Sequence, residues 1–231
     1  MLEILDIYKN YGRHEVLRGV NLTLRPGTIH GLVGANGAGK TTLINCLYGL
    51  EKGYTGTVRG PEPGQPVRAS TGLLPYEPYF YPRLTGREYV AFCLQARGRP
   101  VPDLRPWNQL LELPLDQYAT EYSAGMKKKL ALLALLVQDF RYLILDEPFN
   151  GLDLEANLLL REMLRQLQQR GTGILLTSHL LGALLELADE ATVLTAGRPA
   201  RHYLPAAFGA LEAELLAELH GEKLTQLRTL L

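Results

Sequence analysis

The chain has 231 residues, 46% of them hydrophobic and 21% charged, with Lys+Arg and Asp+Glu each at 24. That balance suits a globular domain with a large core, and it excludes an overall charge that would draw the chain to nucleic acid or an anionic membrane. Two cysteines, Cys46 and Cys93, have neither metal-ligand nor disulfide spacing, which points to a reducing cytoplasm, and no apolar run approaches the roughly 18 residues of a membrane span.

The opening segment MLEILDIYKNYG lacks the basic leader and apolar core of a secretory signal. Val16 to Leu24 and Ile29 to Val33, separated by Pro26-Gly27, read as strands around a turn. Directly afterwards Gly34-Ala35-Asn36-Gly37-Ala38-Gly39-Lys40-Thr41 satisfies G-x-x-x-x-G-K-[ST], and the helix-like TLINCLYGL, which includes Thr42, follows. Small residues let backbone N–H groups wrap closely round phosphates, and the positive end of the next helix faces the anion. Lys40 would contact the β- and γ-phosphates, Thr41 would ligate Mg²⁺, and Thr42 completes the expected nucleotide contacts.

Further along, the Pro- and Gly-rich Thr57 to Thr71 reads as a hairpin or loop on a β-rich flank. From Thr85 to Gln117, prolines at 100, 102, 106 and 114 break any long helix. Helical and loop-like pieces mix there, as in an inserted, partly helical subdomain; with the helix that follows it spans about 85–140, between core segments 1–84 and 141–231 of one domain. Within it, YSAGMKKKLALLALLV (Tyr122 to Val137) raises three readings: a membrane-touching basic helix, a buried helix with a charged start, or a helix end that holds phosphate. Ser123 is a good N-cap, the lysines are expected to face water or a neighbour, and the apolar residues after them to be core.

Two apolar runs, Tyr142 to Leu145 and Gly173 to Thr177, flank a helix with Leu160, Met163, Leu164 and Leu167 on one face, which predicts a βαβ unit and a parallel sheet. Asp146 emerges at the carboxyl end of the first strand, where α/β sheets place ligands, and would hold Mg²⁺. Glu147, one residue on, would orient or deprotonate an attacking water. The tail stripe Leu211, Leu215, Leu216 and Leu219 reads as a C-terminal helix docking on the body.

Together, the phosphate loop, Ser123-Ala124-Gly125-Met126 and the LILDEP segment resemble the ATP-binding-cassette (ABC) ATPases, from about Leu2 to Gly197. The resemblance implies an α/β P-loop NTPase core with a β-rich N-terminal flank and an inserted helical subdomain. It implies ATP and Mg²⁺ as cofactors, a homodimer or heterodimer, an integral membrane permease subunit as partner and no nucleic acid, with the chain peripheral on the inner face of the cell membrane. In the family's pattern Tyr11 stacks on adenine, Ser123 and Gly125 face the γ-phosphate held by the other subunit, Asp153 in Asn150-Gly151-Leu152-Asp153 lies in a loop coupling the two sites, and His179 is a switch histidine. The single-cassette form looks like the nucleotide-binding half of bacterial export systems.

Two positions depart from the pattern: Tyr76 in GLLPYEPYFYP stands where the family has glutamine, and Ala124 where it usually has glycine. A soluble cassette ATPase working on ribosomes or DNA, and a degenerate cassette paired with an active sister chain, remain as alternatives.

Overall fold

The computed structural model describes residues 1–178, 181–211 and 213–214. His179 therefore lies outside the described residues, as do Leu215, Leu216 and Leu219 of the tail stripe; Leu211 is buried.

Two sheets stack around the first long helix. Strands β1 (Leu2–Tyr11) and β2 (His14–Leu24) form an antiparallel hairpin, and β4 (Tyr54–Arg59) pairs with the other edge of β1. The second sheet has the order β5 (Thr71–Leu74), β6 (Tyr142–Leu145), β7 (Gly173–Thr177), β3 (Ile29–Val33), β8 (Glu190–Thr195), β9 (Arg198–Tyr203). All its neighbours are parallel except the edge pair β8 and β9. The βαβ expectation holds: β6 and β7 are adjacent and parallel, with α5 (Leu154–Gln169) between them in sequence.

Of the two readings of 57–71, hairpin or loop, the structure has the loop. Its two ends belong to different sheets, β4 to the antiparallel one and β5 to the parallel one, and loop residues and a short 3₁₀ turn (Val67–Ala69) carry the chain between them.

Continuous apolar runs make the central strands because both faces of a parallel sheet are covered. Side chains alternate across each strand, so one face takes Tyr142, Ile144 and Leu175, and the other Leu143, Leu145, Ile174 and Leu176. The first face packs with the antiparallel sheet and with α1 (Lys40–Tyr48) through Leu43, Ile44 and Leu47. The second packs with Leu160 and Leu164 of α5, Leu184 of α6 (Leu181–Leu185), and the helices α2 (Gly86–Gln95) and α4 (Ala124–Leu136). At the foot of β6, Tyr142 pairs with Gly173, and a Cβ on that glycine would sit 2.7 Å from the tyrosine ring.

Prolines shape the helical segment as their missing N–H requires. Pro106 sits in the first turn of α3 (Arg105–Leu111), while Pro100, Pro102 and Pro114 lie outside the helices. The apolar residues of α4 from Leu130 to Leu136 are all buried, as expected of core.

Candidate functional site

Because β3, β6 and β7 are parallel neighbours, the segments that leave their carboxyl ends meet along one edge of the sheet. From β3 the chain turns through the glycine-rich loop into α1. Gly39, the N-cap, has φ of 102°, a conformation closed to side-chain-bearing residues, and its carbonyl accepts from Leu43 N to start the helix. No side chain caps α1, so its first N–H groups remain directed at the loop's concavity.

Lys40 folds back over this loop, donating to the carbonyls of Gly34 (2.7 Å) and Ala35 (3.2 Å). It is buried, and burial pulls its ammonium pKa below the ordinary lysine value while the carboxylates of Glu147 and Asp146 push it back up.

From β6 come the acids. Asp146 remains in sheet register, its N–H donating to Leu74 O, and its carboxylate is held on both sides. Thr41 Oγ1 donates to Oδ2 at 2.9 Å, and Thr177 Oγ1, at the end of β7, donates to Oδ1 at 2.7 Å. The same Thr177 oxygen accepts from Glu147 N at 2.9 Å, and Glu147 is turned into left-handed backbone, φ 53°. One hydroxyl thus orders both acidic residues, a role that no sequence motif pointed to.

A cleft of about 480 Å³ opens here, lined by Asn36, Gly37, Gly39, Lys40, Thr41, Thr42, Asp146 and Glu147 together with Val16 and Tyr76. Eight of the expected site residues therefore share one cavity, and Gly34 and Ala38 complete its loop. Val16 was not anticipated; as an ordinary strand valine it carries no local signal. Tyr11 is half-exposed at the end of β1, with its hydroxyl donating to Glu51 Oε2 (2.7 Å) and the Lys9 ammonium 4.8 Å from its ring centre.

Tyr11, Ser123, Gly125 and Asp153 do not line the cleft. Ser123 is exposed and caps α4 by accepting from Met126 N at 3.2 Å, as expected of that residue type. Gly125 approaches the loop after β6: a Cβ there would lie 2.9 Å from Gly151 O. Asp153 caps α5, accepting from Ala156 N at 2.8 Å.

The expectation that the lysines of α4 face water or a neighbour is corrected at Lys128, which turns into the core. Lys127 and Lys129 are partly exposed, but Lys128 is buried, donating to Tyr76 O (3.0 Å) and Glu147 O (3.2 Å). Tyr76, beside the cleft, also accepts at its phenol from Asn150 Nδ2 at 3.2 Å.

The sequence profile of a family described as ABC transporter matches residues 17–150. The Nod factor export ATP-binding protein I of Paraburkholderia xenovorans (strain LB400) is 35% identical over 224 residues, 91% of this chain and 73% of that protein. The autoinducer 2 import ATP-binding protein LsrA of Enterobacter sp. (strain 638) is 34% identical over 85% of this chain, which spans 42% of that relative. Among solved structures, an ATP-binding subunit of an ABC transporter superposes with a TM-score of 0.82 at 28% identity, covering 88% of this chain and 90% of the other.

Proposed function

The chain belongs to the ABC transporter family, and from that premise we propose how its residues serve as the ATP-hydrolysing part of a transporter. It has the P-loop NTPase fold and is an ATP-binding transport ATPase. The observation that carries the assignment of roles is the hydrogen-bonded chain from Thr41 through Asp146 and Thr177 to the Glu147 N–H, beside a lysine lying across a glycine-rich loop.

In this reading the loop from Gly34 to Gly39, with the amides that open α1, Thr42 and Asn36, holds the triphosphate. Lys40 exchanges the Gly34 and Ala35 carbonyls for phosphate oxygens, relieving a buried cation with an anion. Thr41 and Asp146 offer a hydroxyl and a carboxylate, the hard oxygen donors that Mg²⁺ prefers, and the ion would supply charge neutralisation on the β- and γ-phosphates. Glu147 orients the attacking water and accepts its proton. Tyr11 offers an exposed ring face to adenine. His179 is assigned the γ-phosphate contact on the sequence pattern alone.

Ser123 and Gly125 sit at an exposed helix start away from their own chain's cleft, which supports a reading in which they close over nucleotide held by a second cassette, with Asp153 in the coupling loop between the two sites. The working unit is then a dimer, homomeric or heteromeric. A separate integral membrane subunit supplies the pathway, and among the described residues no helix is long and apolar enough to cross a membrane. The chain works at the cytoplasmic face of that subunit.

The test is the Glu147→Gln variant, assayed for phosphate release and for equilibrium ATP binding. Turnover is expected to fall at least ~100-fold with ATP binding retained. Unchanged turnover overturns the assignment.

A further inference from the structure

Lys128 is a buried ammonium ion, 5% exposed, in the second turn of α4. Burial is unfavourable for a charge unless hydrogen bonds replace its water, and both of its recorded hydrogen bonds go to carbonyl oxygens in the loops that follow the paired strands β5 and β6: Tyr76 O and Glu147 O. Burial lowers its pKa, and Asp146, Glu147 and Glu77 oppose that shift.

What it holds is unusual backbone. Glu147, a residue with a side chain, sits in the left-handed region, which persists only where the surroundings fix it. Its N–H is fixed by Thr177, and its carbonyl by Lys128 and by Asn150 N at 3.3 Å. Asn150 in turn donates from its side chain to the Tyr76 phenol, and the Tyr76 ring centre lies 5.8 Å from the Lys128 ammonium. One lysine thereby joins α4, the Tyr76 loop and the Glu147 peptide.

We propose that Lys128 is a positioning residue for hydrolysis: by bonding the Tyr76 and Glu147 carbonyls it holds the Glu147 peptide in its left-handed conformation and transmits displacement of α4 to the aim of that carboxylate. The proposal rests on the reading of Glu147 given above. In that reading the exposed start of α4 meets nucleotide on the partner cassette, and Lys128 is the link by which this contact reaches the chain's own acid.

The experiment uses the full chain with Lys128→Met, which keeps the side chain's length and removes charge and donors, and Lys128→Arg, which keeps both. Lys128→Met is expected to lower kcat at least ~10-fold while KM for ATP stays within ~2-fold, and Lys128→Arg to recover most of the loss. Without nucleotide, amide hydrogen exchange in Lys128→Met is expected to quicken at 146–150 and 76–77 and to stay unchanged at 34–41. Exchange that rises across the whole chain, with kcat and ATP affinity falling together, would mean a merely structural role and overturn the proposal. Parent-like exchange and kcat would overturn it as well. Should Lys128→Met fail to fold, Lys128→Gln, which removes the charge and ends an atom short of the ammonium while keeping an amide NH₂, is judged by the same criteria. Full turnover in Glu147→Gln would remove the reading of the acid, whereas parent-like exchange in Lys128→Met would remove the tie itself.

Discussion

Glu190, at the start of β8, is a carboxylate almost out of water with three basic neighbours. His30 Nδ1 lies 3.1 Å from one oxygen, with Arg25 Nη1 at 3.1 Å and His202 Nε2 at 3.4 Å from the other. The His30 hydrogen bond holds its pKa below the ordinary glutamate value, burial pushes the other way, and the His30, Arg25 and His202 charges add to the lowering. A carboxyl depressed in the folded state contributes stability above its unfolded pKa of about 4.3 and loses it as pH falls through the lower folded value. Acid unfolding followed by circular dichroism should therefore show a shallower loss of stability below about pH 4.3 in Glu190→Gln than in the parent; identical slopes would exclude the Glu190 cluster as a contributor. The same scale shows what the sequence could and could not convey about the site. Gly34 to Thr41 and Asp146-Glu147 were legible because each is a local string whose chemistry needs only its own neighbours. Thr177 was not, since its two bonds exist only once β6 and β7 lie side by side. Lys128 was misread because a run of three lysines looks solvated, and only the two carbonyls brought from distant segments make the middle one worth burying.

Among elements, α2 shows how a short signal sets a boundary. Thr85 Oγ1 accepts from Glu88 N at 3.2 Å and Glu88 Oε2 accepts from Thr85 N at 2.8 Å, a reciprocal capping box. Thr85→Ala should cost about 1 kcal/mol, and in a chain of this size lower the melting temperature by roughly 2–4 °C; calorimetry showing no shift would mean that packing of Val90 and Leu94 alone fixes the helix. The T-x-x-E pattern is present at Thr85 to Glu88, but the prolines that follow break the helical periodicity, so sequence alone gives this region as mixed helix and loop. β3, β6 and β7 were legible from their uninterrupted apolar runs. The segment 57–71 was not, because Pro and Gly mark where a chain bends but say nothing about which sheet it bends toward.

For the whole molecule, the placement of Ser123 and Gly125 off the cleft makes association the property that tests the proposed two-cassette site. The Glu147→Gln chain with ATP and Mg²⁺ should sediment as a dimer, and as a monomer when the nucleotide is omitted. Chelating the metal should weaken the dimer by leaving phosphate charge uncompensated between the two chains. A nucleotide-loaded variant that stays monomeric at high concentration, with no sister chain able to pair with it, would sink the two-chain site. Lys40→Met should lose ATP affinity and with it the nucleotide-dependent dimer, because both follow from one anion-binding cradle.

The fit of the Tyr142 ring over Gly173 bears on all of this from the far end of a four-residue strand. Grease lies on both sides of β6, so sliding it one notch would merely trade one set of aliphatics for another, and oiliness alone would raise little objection. Shape objects instead: a Cβ on Gly173 would meet the Arg25 carbonyl at 2.5 Å and the Tyr142 ring at 2.7 Å, so only a bare backbone leaves room. Fill that space, as in Gly173→Ala, and the methyl group presses on both the Arg25 carbonyl and the ring; the strand is expected to shift, moving Asp146 relative to Thr41 and Thr177 although no residue of the site has been changed.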